Sequence, residues 1–416
     1  MPELHREGTD RKDKGTSIAL PTTLMTVSPI AKTVLAFLAV IVVGFASLNS
    51  SEKEIFFENS IPPDSMTIRI YDGNMTSPDV DFKNRAKPVP LENWALNDNL
   101  TCVEEGLPTY PSEDDWQRRA PYALLIGAMK AGTTALSAYL EEHPNFVRTS
   151  RKEVHFFDFH FARFRSENVI LRRGGRVSYA ELFKQLEAGN LVEQNPAMIS
   201  MDDSPRYLFW SYVIPARVLC VAPWVKIIAI LRNPIDRAYS QFNMKGTERN
   251  STVVITVPMS FEEWVQRDLD DLRRVGVIQD AIPLEEFSGS ESELTAWKAY
   301  TRLGTHAPVG RGLYAIQLRH WFKAFEDFGK SRRDDFLIVH SEGMREHTKA
   351  VYQDILTFLN LPSFALPDAE EKFTGKYSEP LSEETRRKLD KFYAPYNREL
   401  YDLLGRQWKG VWDGKK

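Results

Sequence analysis

Cysteine is scarce in this 416-residue chain, which has only two, Cys102 and Cys220. Two thiols cannot build a disulfide framework or a Cys-rich zinc module; at most they close one bond. An excess of either charge is also missing. Lys plus Arg number 53 against 57 Asp plus Glu, a formal net charge of −4. That balance argues against a nucleic-acid binder drawn to its ligand along its whole length, so any basic site must be local. Internal repeats and low-complexity tracts are lacking too. What is there is an ordinary globular composition, 43% hydrophobic, 12% aromatic and 26% charged. At roughly 150 residues per domain the length allows about three domains and a large core.

One uncharged apolar run stands out near the N-terminus, TVLAFLAVIVVGFASL from Thr33 to Leu48. Ile30, Ala31 and the aliphatic stem of Lys32 extend it toward a bilayer crossing. Arg6, Arg11, Lys12, Lys14 and Lys32 precede it, whereas Lys53 is the one base among several acids just after it. The positive-inside rule then keeps residues 1–32 cytosolic, makes 33–48 a transmembrane signal-anchor and sends the rest into a lumen. A cleaved signal peptide is the alternative, since Gly44-Phe45-Ala46 offers small residues at a peptidase spacing, and it would give a secreted protein. Residues 49–120 carry Pro62-Pro63, Pro78, Pro88, Pro90, Pro108 and Pro111 with little apolar periodicity, the composition of a stem. Asn74, Asn99 and Asn250 head glycosylation triplets that a luminal location would expose.

From residue 121 to 416 the pattern changes to apolar strands followed by amphipathic helices. YALLIGA leads into TTALSAYLEEH, VKIIAIL into IDRAYSQF, and FLIVH into TKAVYQDILTFLN. Asn233-Pro234 is a good N-cap and first helical residue for the second of these helices. Repetition of this unit predicts an α/β domain with a central, mainly parallel sheet flanked by helices. Ligands of such sheets sit at the carboxyl ends of the strands, just after Ala128, Leu231 and His340.

Chemistry-bearing residues cluster at those ends. Gly127-Ala128-Met129-Lys130-Ala131-Gly132-Thr133-Thr134 has the glycine spacing of an ATP-binding loop, but its lysine lies two positions before the second glycine. Small residues at a helix start let backbone N–H groups approach an anion, and Lys130 adds a positive charge. The displaced lysine argues against an ATP-dependent kinase of the P-loop superfamily; a tight turn with an exposed lysine is the plain alternative. In Arg151-Lys152-Glu153-Val154-His155-Phe156-Phe157-Asp158, strand alternation would put Glu153 and His155 on one side. There the carboxylate could accept a hydroxyl proton beside the imidazole. A solvated edge, or a metal pair made of His155 and His160 with Asp158, competes with that reading. Arg232 ends a buried strand, and Ser240 lies two turns into the next helix, where Asn233, Arg237 and Ser240 share a face suited to a phosphate.

GAMKAGTTAL, KEVHFFD and LRNPIDRAYS, in this order, resemble the Golgi-type carbohydrate sulfotransferases, most nearly the heparan sulfate glucosaminyl 3-O-sulfotransferases and the sulfotransferase half of the N-deacetylase/N-sulfotransferases. The resemblance runs from Tyr122 to about Trp412. It implies a P-loop-like sulfotransferase fold with 3′-phosphoadenylyl sulfate as donor, a glycan acceptor and no metal. Lys130, Ala131, Gly132, Thr133 and Thr134 would hold the 5′-phosphosulfate and Arg232 and Ser240 the 3′-phosphate. Glu153 would be the catalytic base, with His155 its partner and Lys130 at the leaving oxygen. The chain departs from the family in four ways. Thr374-Gly375-Lys376 stands where the family has a Lys-Gly-Arg clamp, leaving Gly375 and Lys376 for donor contact. Asp202-Asp203 replaces an acceptor-side Glu-Lys pair, and the C-terminal disulfide of the family has no cysteines here. The stretch from Gly246 to Gly310 is longer than in the family and reads as a solvated helix plus a surface loop, with an acceptor-recognition lid as the alternative. An inactive relative that only binds a sulfated or phosphorylated ligand is the remaining alternative.

Overall fold

The computed structural model describes residues 101–103, 120–149, 152–161, 165–166, 169–183, 195, 197–247, 259–303, 307–367 and 380–413. All of them belong to one compact unit, Ser51–Lys416. The span at 33–48, most of the stem, the three glycosylation asparagines, Gly375 and Lys376 lie outside the described residues. Among the described residues no helix is long and apolar enough to cross a membrane.

A four-stranded parallel sheet forms the centre. Its strands are β2 (Ala123–Gly127), β5 (Met201–Asp202), β6 (Lys226–Leu231) and β7 (Phe336–His340), in the order β5-β2-β6-β7. Their apolar runs do not alternate because helices cover both faces; β2 is buried at all five positions. A smaller sheet has the order β1-β4-β3, with β1 (Thr101–Val103) parallel to β4 (Val169–Leu171) and β3 (Arg165–Ser166) antiparallel to it. Thr101–Val103 lies within the stretch read as a stem, yet it pairs with the folded domain.

The helices that matter for the site follow the strands. They are α1 (Thr133–Leu140) after β2, α2 (Arg172–Glu181) after β4, α3 (Ile214–Val221) after β5 and α4 (Pro234–Thr247) after β6. Beyond them come α5 (Phe261–Arg274), α6 (Glu291–Thr301), α7 (Tyr314–Asp327), α8 (Ser341–Glu346), α9 (Thr348–Phe358) and α10 (Glu383–Leu404). Asn233 caps α4 as its sequence suggests, its side-chain oxygen accepting the Ile235 N–H at 3.0 Å. Cys102 and Cys220 are joined in a disulfide that ties β1 to α3.

The long stretch between Gly246 and Gly310 is not merely a solvated helix and loop. Helix α5 buries Phe261, Val265, Leu269 and Leu272 on one side. On the same side, fully buried Asp268 accepts the Tyr300 hydroxyl at 2.6 Å and the Val309 N–H at 2.7 Å. A carboxylate so placed is held by directed donors, which offset the desolvation that pushes its pKa up. These bonds hold the segment together internally, and Tyr239 and Phe242 of α4 pack their rings on Phe261 and so fix it to the body.

Candidate active site

The loop between β2 and α1 is built for close approach. A Cβ on Gly127 would lie 2.7 Å from the Leu208 Cβ, so the strand end admits only glycine without a shift. Gly132 has φ 101, a left-handed conformation that glycine adopts without strain, and it starts α1 by accepting the Ala135 and Leu136 N–H groups. The first-turn amides of Thr133 and Thr134 are those an α-helix leaves without internal partners, and no acidic residue sits in that turn to compete with an incoming anion. Lys130 also has a positive φ of 70.

The second motif reaches this loop directly. Arg232, at the end of β6, donates from Nη1 to the Lys130 carbonyl at 3.2 Å. Its own carbonyl accepts the Tyr314 hydroxyl at 2.9 Å. The neighbouring Asn233 N–H donates to Glu342 Oε1 at 2.9 Å, and Trp412 Nε1 donates to Glu342 Oε2 at 3.1 Å. Burial works against the charge of Glu342, but His340 and these N–H donors outweigh it and bring its pKa down to about 2. This carboxylate is therefore a fixed anchor that holds the Arg232-Asn233 turn against the C-terminal segment.

Ser240 is buried in α4, and Arg237 is not available to a ligand. The Arg237 guanidinium is fully buried, donating to Gln241 Oε1 at 2.9 Å and to the Pro308 carbonyl. The shared helix face inferred from its spacing is real, but its middle residue ties down the 246–310 segment.

The third motif departs from its expected backbone. Glu153 and His155 are not strand residues; their φ values are 54 and 51, both left-handed, and a π-helical turn, Phe156–His160, follows. The two side chains nevertheless meet, with His155 Nε2 3.4 Å from Glu153 Oε2. On its other side His155 Nδ1 lies 3.0 Å from Asp158 Oδ2. Arg206 Nε sits 3.4 Å from the same Asp158 oxygen, its guanidinium stacked over Phe159.

Strained backbone of this kind persists only when its surroundings fix it. Buried Asp203 accepts the Glu153 N–H at 3.1 Å through Oδ1 and the Ser137 hydroxyl of α1 at 2.8 Å through Oδ2. The His155 N–H donates to Ser204 Oγ at 3.1 Å, and that hydroxyl donates to Asp202 Oδ1 at 2.6 Å. Asp202 Oδ2 accepts the Tyr179 and Tyr207 hydroxyls, both at 3.0 Å. Burial pushes the Asp202 carboxyl up to about 7. Arg217 of α3 donates to the Phe157 carbonyl at 2.6 Å. Asp202 and Asp203, which stand where the resembling family has an acceptor-side Glu-Lys pair, point inward and brace the Glu153–His155 turn. A two-residue strand ending in acids gives little sequence signal for that role.

The charge states follow from these contacts. Burial opposes the Glu153 charge, but the His155 hydrogen bond and the Lys152 ammonium outweigh it, so its pKa falls below the ordinary value. Burial likewise opposes the His155 charge, yet Asp158 and then Glu153 raise its pKa to about 9. At neutral pH the pair is therefore carboxylate and imidazolium, and Glu153 is the member able to accept a proton. Among the described residues no three His, Cys, Asp or Glu side chains are placed to hold a metal ion.

An anion-accepting loop and an ionised carboxylate at the carboxyl edge of a parallel sheet are the parts of a group-transfer enzyme. Residues 121–382 match the sulfotransferase domain family, and the chain belongs to it. Among similar proteins, mouse heparan sulfate glucosamine 3-O-sulfotransferase 3A1 is 25% identical over 324 residues, covering 72% of this chain and 66% of that protein. The membrane-associated sulfotransferase kil1 of Dictyostelium discoideum is 23% identical over 337 residues, covering 70% and 66%. A third, the bifunctional heparan sulfate N-deacetylase/N-sulfotransferase 1 of Caenorhabditis elegans, is 25% identical over 320 residues, covering 71% of this chain and 31% of that protein. The chain thus spans just under two thirds of the first two relatives' length.

Proposed function

We propose that this sulfotransferase moves a sulfuryl group from 3′-phosphoadenylyl sulfate to a hydroxyl or amino group of a carbohydrate, a glycan of heparan-sulfate-like type. The relatives' substrates support the acceptor class. One observation carries the reading: Lys152 Nζ lies 2.7 Å from Thr134 Oγ1 and 3.2 Å from Glu153 Oε1, so the base stands within one ammonium of the anion-binding loop. The residues present fit such a donor, being lysine, arginine, threonine hydroxyls and helix-start amides. Bound there, the donor supplies a sulfuryl group already carried on a phosphate leaving group.

In this reading Lys130 to Thr134 hold the 5′ end, Arg232 and Ser240 the 3′-phosphate, with Gly375 and Lys376 as further donor contacts. Glu153 accepts the proton of the attacking hydroxyl while Asp158 orients the His155 imidazolium beside it. Lys130 and the loop amides stabilise charge on the departing oxygen. Positioning and electrostatics supply the catalysis, with no covalent enzyme intermediate. Membrane anchoring through 33–48, with the catalytic domain in the Golgi lumen, completes the proposal; the Cys102–Cys220 disulfide supports an oxidising compartment. The test is transfer of radiolabelled sulfate from the donor to a panel of glycans. Label on a saccharide supports the reading, and donor uptake with no labelled product on any glycan contradicts it.

A pH profile follows from the two shifted groups. Glu153, held low, keeps its charge until the medium falls below the ordinary carboxylate range, whereas His155, raised to about 9, loses its proton only in alkali. The kcat profile should therefore be flat through neutrality, with its alkaline limb near pH 9. Asp158→Asn removes the main charge that raises His155, so that limb should move to lower pH. An alkaline limb unmoved in the variant would remove the imidazolium from the account.

A further inference from the structure

In the scheme above Lys152 does no more than help lower the Glu153 pKa, yet among the described residues its ammonium is the one group that touches both the donor loop and the base. Thr134 belongs to the first turn of α1, and Glu153 is fixed from behind by Asp203. The two meet through Lys152 Nζ, at 2.7 Å and 3.2 Å. A structural ion pair does not account for this placement. The Lys152 side chain is 40% exposed and its carboxylate partner 36%, and exposed pairs add little to stability while ordering a long side chain opposes them. An ammonium has three N–H donors, and among the described residues these two contacts use two of them.

Resting on the proposed function, we propose that Lys152 is a second catalytic cation, which binds the oxygens of the sulfuryl group as it passes from the loop to the acceptor. In that step the acceptor oxygen forms its bond to sulfur and its proton goes to the Glu153 carboxylate. The bond from sulfur to the phosphate oxygen breaks, and the electron pair leaves with the phosphate. Lys152 keeps its protons throughout. Its third N–H is directed at a sulfuryl oxygen, while its contact with Thr134 keeps it on the loop side. Lys130 and Lys152 thus divide the work, one at the leaving oxygen and one at the group in flight. Preorganised donors of this kind act on charge that is spread over the transferring group.

The same ammonium also keeps the base ionised. The charged groups facing Glu153 are Lys152 and His155 from its own segment and Asp203 from the end of β5. Asp203 carries the same sign as Glu153, so loss of Lys152 removes one of the two cations that offset it. The acid limb of the kcat profile must then move to higher pH.

The experiment compares wild type, Lys152→Met and Lys152→Arg in three measurements: adenosine 3′,5′-bisphosphate binding by calorimetry, kcat against pH, and the thermal midpoint. Lys152→Met should bind the bisphosphate within about threefold of wild type and keep its midpoint, because the nucleotide lacks the sulfuryl group. Its kcat should fall about 10²-fold, the usual loss for one preorganised donor. The acid limb should move up in pH, and Lys152→Arg should recover most of the rate. An unchanged kcat overturns the proposal. So does a pH-independent loss that arginine does not restore, since that pattern marks a packing role. Failure of the wild type to bind the bisphosphate would instead overturn the donor assignment itself, and this inference with it.

Discussion

Glu153→Gln should lower kcat by about 10³-fold while leaving donor-nucleotide affinity and the thermal midpoint nearly unchanged. A positioned general base contributes roughly 10² to 10⁴ in rate, and among the described residues no other carboxylate is free to take its place. The two oxygens of Asp203 are occupied by the Glu153 N–H and the Ser137 hydroxyl. Asp158 is engaged with His155. Glutamine keeps the size and the backbone bond to Asp203, so the turn should survive while the proton acceptor is lost. Single-turnover sulfate transfer, read beside bisphosphate binding, separates the two. Residual kcat within tenfold of wild type would remove Glu153 from proton transfer.

The second large effect is on stability. Cys102→Ser or Cys220→Ser opens a bond that bridges a sequence separation of 118 residues. For a loop of that length the chain-entropy account gives about 5 kcal/mol, and loss of a native disulfide commonly costs roughly 2–5 kcal/mol. For a domain this large, that corresponds to a fall of roughly 10 °C in the melting midpoint. Wild type with dithiothreitol should fall to the same midpoint, and the single variants should not respond to the reductant. Because α3 carries both Cys220 and Arg217, activity should weaken as the bond opens. A wild-type midpoint shifted by less than about 1 °C on full reduction would contradict this.

Much of the fold was readable because its signals are local. The apolar runs ending at Gly127, Leu231 and His340 became β2, β6 and β7, and Asn233 capped the helix it preceded. The meeting of Glu153 with His155 was also anticipated, but for the wrong backbone reason. Strand alternation was assumed, whereas two left-handed residues make the turn. Such conformations have no sequence signature in Glu and His, since they exist only under the grip of Asp203 and Ser204. Arg237 shows the opposite failure: its helical spacing was right, and the tertiary contact with Pro308 that consumes it was invisible. Asp202, Asp203, Glu342 and Tyr314 brace the site through partners 50 to 109 residues away or through strands too short to read. Periodicity reports which face is buried, not which polar group waits behind it.

The central claim is that Lys130 and Arg232 hold a nucleotide carrying phosphates at both the 5′ and 3′ positions. Isothermal calorimetry with adenosine 3′,5′-bisphosphate tests it most directly, with adenosine diphosphate as the control that lacks the 3′ group. The account predicts uptake of one bisphosphate per chain and clear preference over the diphosphate. Arg232→Ala should weaken it about tenfold to a hundredfold, the loss of one charge-assisted contact. No heat of binding in the wild type, or equal affinity for the two nucleotides, would contradict it.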